Sequence, residues 1–188
     1  QVIELYGLQT TDYADPTEII ESNVNPTRVM VKIQEGCNQV CAYCIVPKVR
    51  GRERSIPVND IVSKIKQFQL SGYKEVVLTG TQLGSYGFDL GHSINLFSLI
   101  YRILEKTDLP RLRVSSIQPQ EIDKRLLSLW GEPRLCPHFH VPLQSGNDEL
   151  LQKMRRKYDV NLYTERIHKI REVMPDACIG VDVIVGFP

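Results

Sequence analysis

A short β-branched run, a turn and then an amphipathic helical stretch recur from residue 28 to residue 188, and this alternation constrains the fold more than any other feature. The strand candidates are Arg28–Gln34 (RVMVKIQ), Glu75–Thr79 (EVVLT), Arg111–Ile117 (RLRVSSI), His138–Leu143 (HFHVPL) and Ile179–Val185 (IGVDVIV). Between the first two, Ile61, Ile65 and Phe68 recur at helical spacing behind Val58-Asn59-Asp60. Leu96–Lys106, Asp123–Trp130, Asp148–Arg156 and Leu162–Met174 read as further helices. Strands separated by helices pair in parallel, because a parallel return needs a crossover of about a dozen residues or more. Five such units fall short of a closed eight-fold barrel of ~250 residues, which leaves an open barrel or a flat doubly wound sheet. Residues 1–28, broken by Asp15-Pro16 and Asn25-Pro26, read as a lead-in to a domain at 29–188. The chain starts at Gln1 and stops within an apolar run at Pro188, so we expect a piece of a longer protein.

Composition narrows the class. Apolar residues make up 42% and charged residues 24%, which excludes a disordered or collagen-like chain. No apolar run approaches the ~18–20 residues of a membrane span, so no membrane partner is expected and a cytoplasmic location is. Lys and Arg total 23 against 22 for Asp and Glu, so any polyanion site must be local.

The C-terminal end of every strand runs into small or polar residues: Glu35-Gly36-Cys37, Gly80-Thr81-Gln82, Ser115 to Pro119, Gln144 to Asn147, and Gly186-Phe187-Pro188. In α/β folds that edge is where ligands bind. Any one of these could be an ordinary turn; all five together favour one large site.

Three of the five cysteines, Cys37, Cys41 and Cys44, fall within eight residues directly after the first strand. Thiolates suit both zinc and iron–sulfur clusters. A structural zinc wants four closed ligands, usually in two separated pairs, and no histidine stands nearby. Cys136 precedes the fourth strand, on the opposite edge, and Cys178 stands alone. Ligand number and spacing therefore favour a four-iron cluster held by three thiolates, with one iron open to a substrate or cofactor.

CxxxCxxC after the first strand, with Tyr43 before the last cysteine, resembles the radical S-adenosylmethionine superfamily. The resemblance implies a partial, open parallel βα barrel, here truncated after the fifth strand. It also implies that the open iron of a [4Fe–4S] cluster chelates S-adenosylmethionine, which the reduced cluster cleaves to a 5′-deoxyadenosyl radical. Flanking residues narrow the family. QEGCN at 34–38, CAYCIVP at 41–47, RGRERS at 50–55, HVPLQSG at 140–146 and DVIVGFP at 182–188 resemble the methylthiotransferases, in that family's order. That likeness implies a preceding domain with a second [4Fe–4S] cluster and a following RNA-binding β domain, both outside this chain. Carried over by position, Cys37, Cys41 and Cys44 hold the cluster, and Tyr43 packs beside the adenine. Gly80, Thr81 and Gln82 meet the methionine amino group, and Ser116 and Gln144 approach the ribose and carboxylate. For Ser116, strand-end capping is an equal alternative.

Two basic runs lie near the same edge: Lys48–Arg54 carries +3 and Lys153–Lys157 carries +4. Such runs are usually solvated. The resemblance makes tRNA the partner, so that Arg50, Arg52, Arg54, Arg155 and Arg156 contact RNA. It also implies an electron donor such as a flavodoxin or ferredoxin. His138 and His140 share a face of the fourth strand, an arrangement a zinc hydrolase could use, although no third histidine suggests itself. Asp182, in the last strand, is either a structural carboxylate or a substrate contact. Within the family, LGSYG at 83–87, SSI at 115–117 and MRRKY at 154–158 resemble the branch that inserts a methylthio group at C2 of N6-threonylcarbamoyladenosine next to the tRNA anticodon. The alternatives are the N6-isopentenyladenosine branch and a non-catalytic iron–sulfur or RNA-binding module.

Overall fold

A computed structural model describes residues 27–188; of the lead-in expected at 1–28, residues 1–26 lie outside the described residues and Arg28 already opens the first strand. Among the described residues, six strands and six α-helices follow in the order β1 (Arg28–Glu35), α1 (Val46–Val49), β2 (Arg54–Ser55), α2 (Val58–Leu70), β3 (Glu75–Gly80), α3 (Leu96–Lys106), β4 (Arg111–Val114), α4 (Lys124–Leu127), β5 (His138–His140), α5 (Asp148–Lys153), α6 (Val160–Val173) and β6 (Cys178–Gly180).

β1, β3 and β4 pair in parallel, as do β5 and β6. Backbone hydrogen bonds join the two groups: Leu112 N–H donates to Arg134 O at 2.8 Å and Ile117 N–H to His140 O at 3.0 Å. The result is one curled, open parallel sheet in the order β1-β3-β4-β5-β6, the partial barrel, not the flat doubly wound sheet. Two short elements were not legible in the sequence. α1 follows the cysteine loop, and the two-residue β2 caps the free edge of β1 in antiparallel pairing. Strands three to five are shorter than expected, since β4 ends at Val114, β5 at His140 and β6 at Gly180. Beyond those points the segments pair only through single bridges, Ser116 with His140 and Gln144 with Val183.

Alternation explains the two faces of the sheet. Val31, Ile33, Val76, Leu78, Leu112, Val114, Phe139 and Val141 are buried beneath the helices. Ile61, Ile65 and Phe68 of α2 and Leu99, Ile100 and Ile103 of α3 supply the matching apolar stripes. The alternate residues Met30, Lys32, Thr79, Arg113, His138 and His140 are left on the concave face, which is correspondingly polar. Side chains fix the helix starts. Asn95 Oδ1 accepts from Ser98 N–H, Asn147 Oδ1 from Leu150 N–H and Asp159 Oδ1 from Leu162 N–H, each satisfying an orphan donor of the first turn.

At the N-terminal edge of the strands, Glu75 is 4% exposed, accepts from the Nε of Arg111 (2.9 Å) and Arg113 (2.8 Å), and forms an ion pair with Arg28 Nε at 2.8 Å. Burial pushes its carboxyl up. Hydrogen bonds from Arg113 and Arg111, with the charges of Arg113 and Arg28, outweigh that and bring it down to about 2.

Candidate cofactor site at the cysteine loop

β1 ends in an irregularity. Lys32 pairs with Thr79 but Gln34 pairs with Gly80, so Ile33 is an extra residue, and its carbonyl accepts from Ile56 N–H at 2.8 Å. This shift turns the Gln34 side chain across the sheet edge. Its Nε2 donates to Gly36 O at 2.8 Å, and its Oε1 accepts from Thr81 N–H (3.0 Å) and Gln82 N–H (2.9 Å). A Cβ on Gly80 would lie 2.9 Å from Gln34 O, so glycine is required there by this clamp. Gly36 adopts φ +75, and a Cβ there would sit 2.1 Å from Arg52 O.

The cysteine loop leaves this clamp and is tied down at three places. Cys37 N–H donates to Gly51 O at 3.1 Å; Asn38 and Glu53 exchange three contacts of 3.1–3.4 Å; Ala42 N–H donates to Met154 O at 3.1 Å. The last bond sets the C-terminal end of α5 against the loop. Cys37 is buried, which pushes its thiol up, while Cys41 and Cys44 are partly exposed.

Among the described residues, no three His, Cys, Asp or Glu side chains converge as a single metal ion would require. His138 and His140 therefore find no third ligand among the described residues, and His140 is hydrogen-bonded to Ser116 and lies beside Asp182. The three thiols do fit a cluster, in which each thiolate binds a separate iron and the sulfurs stand apart. All three lie on one tethered loop, and Cys41 and Cys44 are close enough to Cys37 for their charges to act on its thiol.

Around the loop the structure assembles much of what the sequence suggested. Tyr43 is exposed, edge-on to Phe187 with ring centroids 6.2 Å apart. Gly80 and Thr81 line a hollow of about 430 Å³ together with Lys32, Gln34, Val46, Arg50 and Thr79. A larger hollow, about 690 Å³, lies along Phe97 and Tyr101 of α3 and shares no residue with the loop. Gln82 is buried, but its side chain turns away: Oε1 accepts from Gln118 Nε2, and Nε2 donates to Glu121 Oε1. Its backbone, not its amide, faces the clamp. Ser116 Oγ shares a 2.5 Å hydrogen bond with His140 Nδ1, and His140 Nε2 lies 3.2 Å from Asp182 Oδ1. Ser116 thus belongs to a Ser–His–Asp chain at the strand ends. Gln144 is buried with φ 65, a left-handed conformation rare for glutamine.

Arg50, Arg52, Arg54 and Arg155 are exposed. Arg156 is not on that outer face. Its Nη1 donates to Cys41 Sγ (3.2 Å) and Tyr43 Oη (3.3 Å), and its Nη2 donates to Gln118 Oε1 (3.1 Å). Sequence reasoning missed the roles of Gln118 and Glu121, and it named Ser116, His140 and Asp182 without the hydrogen bonds that join them. Gln118 and Glu121 follow β4 in the polar stretch at the strand end, a signal that was present but unspecific. Burial pushes the Glu121 carboxyl up to about 7, despite hydrogen bonds from Gln118 N–H and Gln82.

A tethered CxxxCxxC loop at the C-terminal edge of an open parallel βα barrel defines a class, and the comparisons agree. The Radical SAM superfamily model matches residues 31–188, and the chain belongs to that superfamily, whose cofactors are a [4Fe–4S] cluster and S-adenosylmethionine. Among curated proteins it is 44% identical to the threonylcarbamoyladenosine tRNA methylthiotransferase MtaB of Aquifex aeolicus, over 86% of this chain and 39% of that one. It is 40% identical to MtaB of Rickettsia prowazekii, over 90% and 41%. The tRNA-2-methylthio-N(6)-dimethylallyladenosine synthase of Clostridium botulinum (strain Eklund 17B) is 41% identical, over 99% and 42%. The chain thus spans about two fifths of the length of the relatives it matches. Solved structures share the fold: the radical S-adenosylmethionine methyltransferase TsrM of Kitasatospora setae, with TM-score 0.65 at 20% identity over 87% of this chain and 31% of that one, and methylornithine synthase PylB, with 0.60 at 15% over 86% and 45%.

Proposed function

We propose that residues 29–188 are the radical domain of a tRNA methylthiotransferase acting at C2 of N6-threonylcarbamoyladenosine beside the anticodon. The observation that carries this reading is the bond from Ala42 N–H to Met154 O. It sets the basic turn after α5, with exposed Arg155 and Lys157, beside the loop of Cys37, Cys41 and Cys44. A threonylcarbamoyl group ends in a carboxylate that such cations pair with, whereas an isopentenyl tail wants an apolar pocket. Relatives of both branches match at similar identity, so the chemistry of this edge supports the choice.

In this reading the three cysteines hold the cluster, which when bound supplies the electron that cleaves S-adenosylmethionine. Gln34 holds the β1 and β3 ends at a fixed separation, so that the backbone at Gly80 and Thr81 stays open toward the methionine moiety. Tyr43 offers its ring to the adenine. The chain Ser116–His140–Asp182 fixes the hydroxyl proposed to meet the ribose, and the left-handed backbone at Gln144 aims that residue toward the cofactor. Arg50, Arg52, Arg54 and Arg155 face tRNA, and a low-potential flavodoxin or ferredoxin delivers the electron. The lead-in at 1–28, a second cluster that supplies sulfur and a β domain that grips RNA complete the protein, in the cytoplasm. Deleting the gene and analysing tRNA nucleosides by mass spectrometry tests the proposal. Loss of the methylthio form of threonylcarbamoyladenosine supports it; loss of methylthio-isopentenyladenosine alone overturns it.

A further inference from the structure

Among the described residues, Arg156 is a cation without a carboxylate partner, although its side chain is partly buried and held on every side. Its guanidinium stacks 4.9 Å from the Tyr158 ring centroid, and its Nε donates to Tyr158 Oη at 3.2 Å. Tyr158 is itself anchored, its hydroxyl donating toward Pro142 O (2.8 Å) and Leu143 O (3.0 Å). Gln118 Oε1 takes Nη2. What remains, Nη1, points at Cys41 Sγ and Tyr43 Oη. A planar fork fixed by four groups and aimed at a thiol is a different object from a phosphate-binding arginine, which needs a free, solvent-facing head. Its neighbour Arg155, with φ 58, is the one presented outward.

We propose that Arg156 is a positioning residue for the iron–sulfur cluster, donating a charge-assisted hydrogen bond to the Cys41 thiolate and setting the potential at which the cluster accepts its electron. The inference rests on membership of the radical SAM superfamily and is independent of the RNA substrate. Hydrogen bonds and charge near the ligand sulfurs set cluster potentials. Reduction adds one negative charge to the cluster, so a fixed cation beside Cys41 favours the reduced form and raises the midpoint. The Tyr158 stack would hold that cation in place in both oxidation states of the cluster.

The test is a dithionite titration of the anaerobically reconstituted full-length protein, followed by EPR, with iron content and tRNA affinity measured on the same samples. Arg156→Gln should shift the midpoint to a more negative potential, Arg156→Lys should recover part of the shift, and Tyr158→Phe should give a smaller shift of the same sign. If Arg156→Gln sheds its iron while Arg156→Lys and Tyr158→Phe keep it and shift as stated, the proposal still holds. A midpoint unchanged in the Gln and Phe variants overturns it. With that outcome, lost tRNA affinity would assign Arg156 to phosphate, and a lost response to S-adenosylmethionine would assign it to the cofactor carboxylate. A wild-type protein that binds no iron would instead contradict the cluster itself.

Discussion

Two carboxylates with opposite environments show how single residues divide between holding the fold and serving the site. Glu75 sits under three arginines at the closed edge, and its carboxyl, at about 2, lies below the ordinary value of 4.5. Its contribution is therefore complete above about pH 4.5 and is lost as pH falls toward 2, on the order of 3 kcal/mol across that window. Glu75→Gln should destabilise the protein by about 2–3 kcal/mol at pH 7, because Arg113 loses its partner, and should flatten the acid limb of a urea-unfolding series. Glu121 is the reverse case. At about 7 it is raised by burial, so stability falls as pH rises from about 4.5 through 7. Glu121→Gln should remove that slope and leave the protein more stable at pH 8 than the parent, which the same unfolding series measures. Gly84 faces this carboxylate so closely that a Cβ would lie 2.0 Å from Glu121 Oε2. Gly84→Ala should therefore push Glu121 off Gln82 and cost about 1–3 kcal/mol in thermal or urea unfolding.

At the scale of elements, periodicity made the long pieces legible. α2 and α3 begin where their cap and first-turn residues lie, and β1 and β3 are rich in β-branched residues. The elements that escaped are those whose existence depends on tertiary contacts. The two residues of β2 carry no local pattern; they pair because Gly36 and Gly51 return the chain beside β1. β5 and β6 stop early because Pro142 and the left-handed Gln144 bend the backbone out of the ladder. The cysteine spacing announced the site directly. Its supports, Gln34, Gln118, Glu121 and Arg156, are scattered over more than a hundred residues and are brought together only by the curl of the sheet. The loop's rigidity is an element-scale property, and Asn38→Ala tests it. Freed from Glu53, the loop should hold its cluster less firmly, seen as faster iron loss to a chelator, while the unfolding midpoint changes little.

For the whole molecule, the open barrel leaves a polar concave face whose upper rim carries the cysteine loop, the Gln34 clamp and the Ser116–His140–Asp182 chain together. Helices cover the other face, and the net charge of only +1 is compatible with a locally basic rim. The central claim is that three cysteines on that rim leave one iron free to chelate S-adenosylmethionine. EPR of the reduced cluster, recorded before and after adding the cofactor to the full-length protein and to its Cys136→Ala and Cys178→Ala variants, tests this most directly. The signal should change on adding cofactor in all three proteins; a spectrum unchanged at saturating cofactor, or a signal lost with Cys136, would contradict the open-iron site.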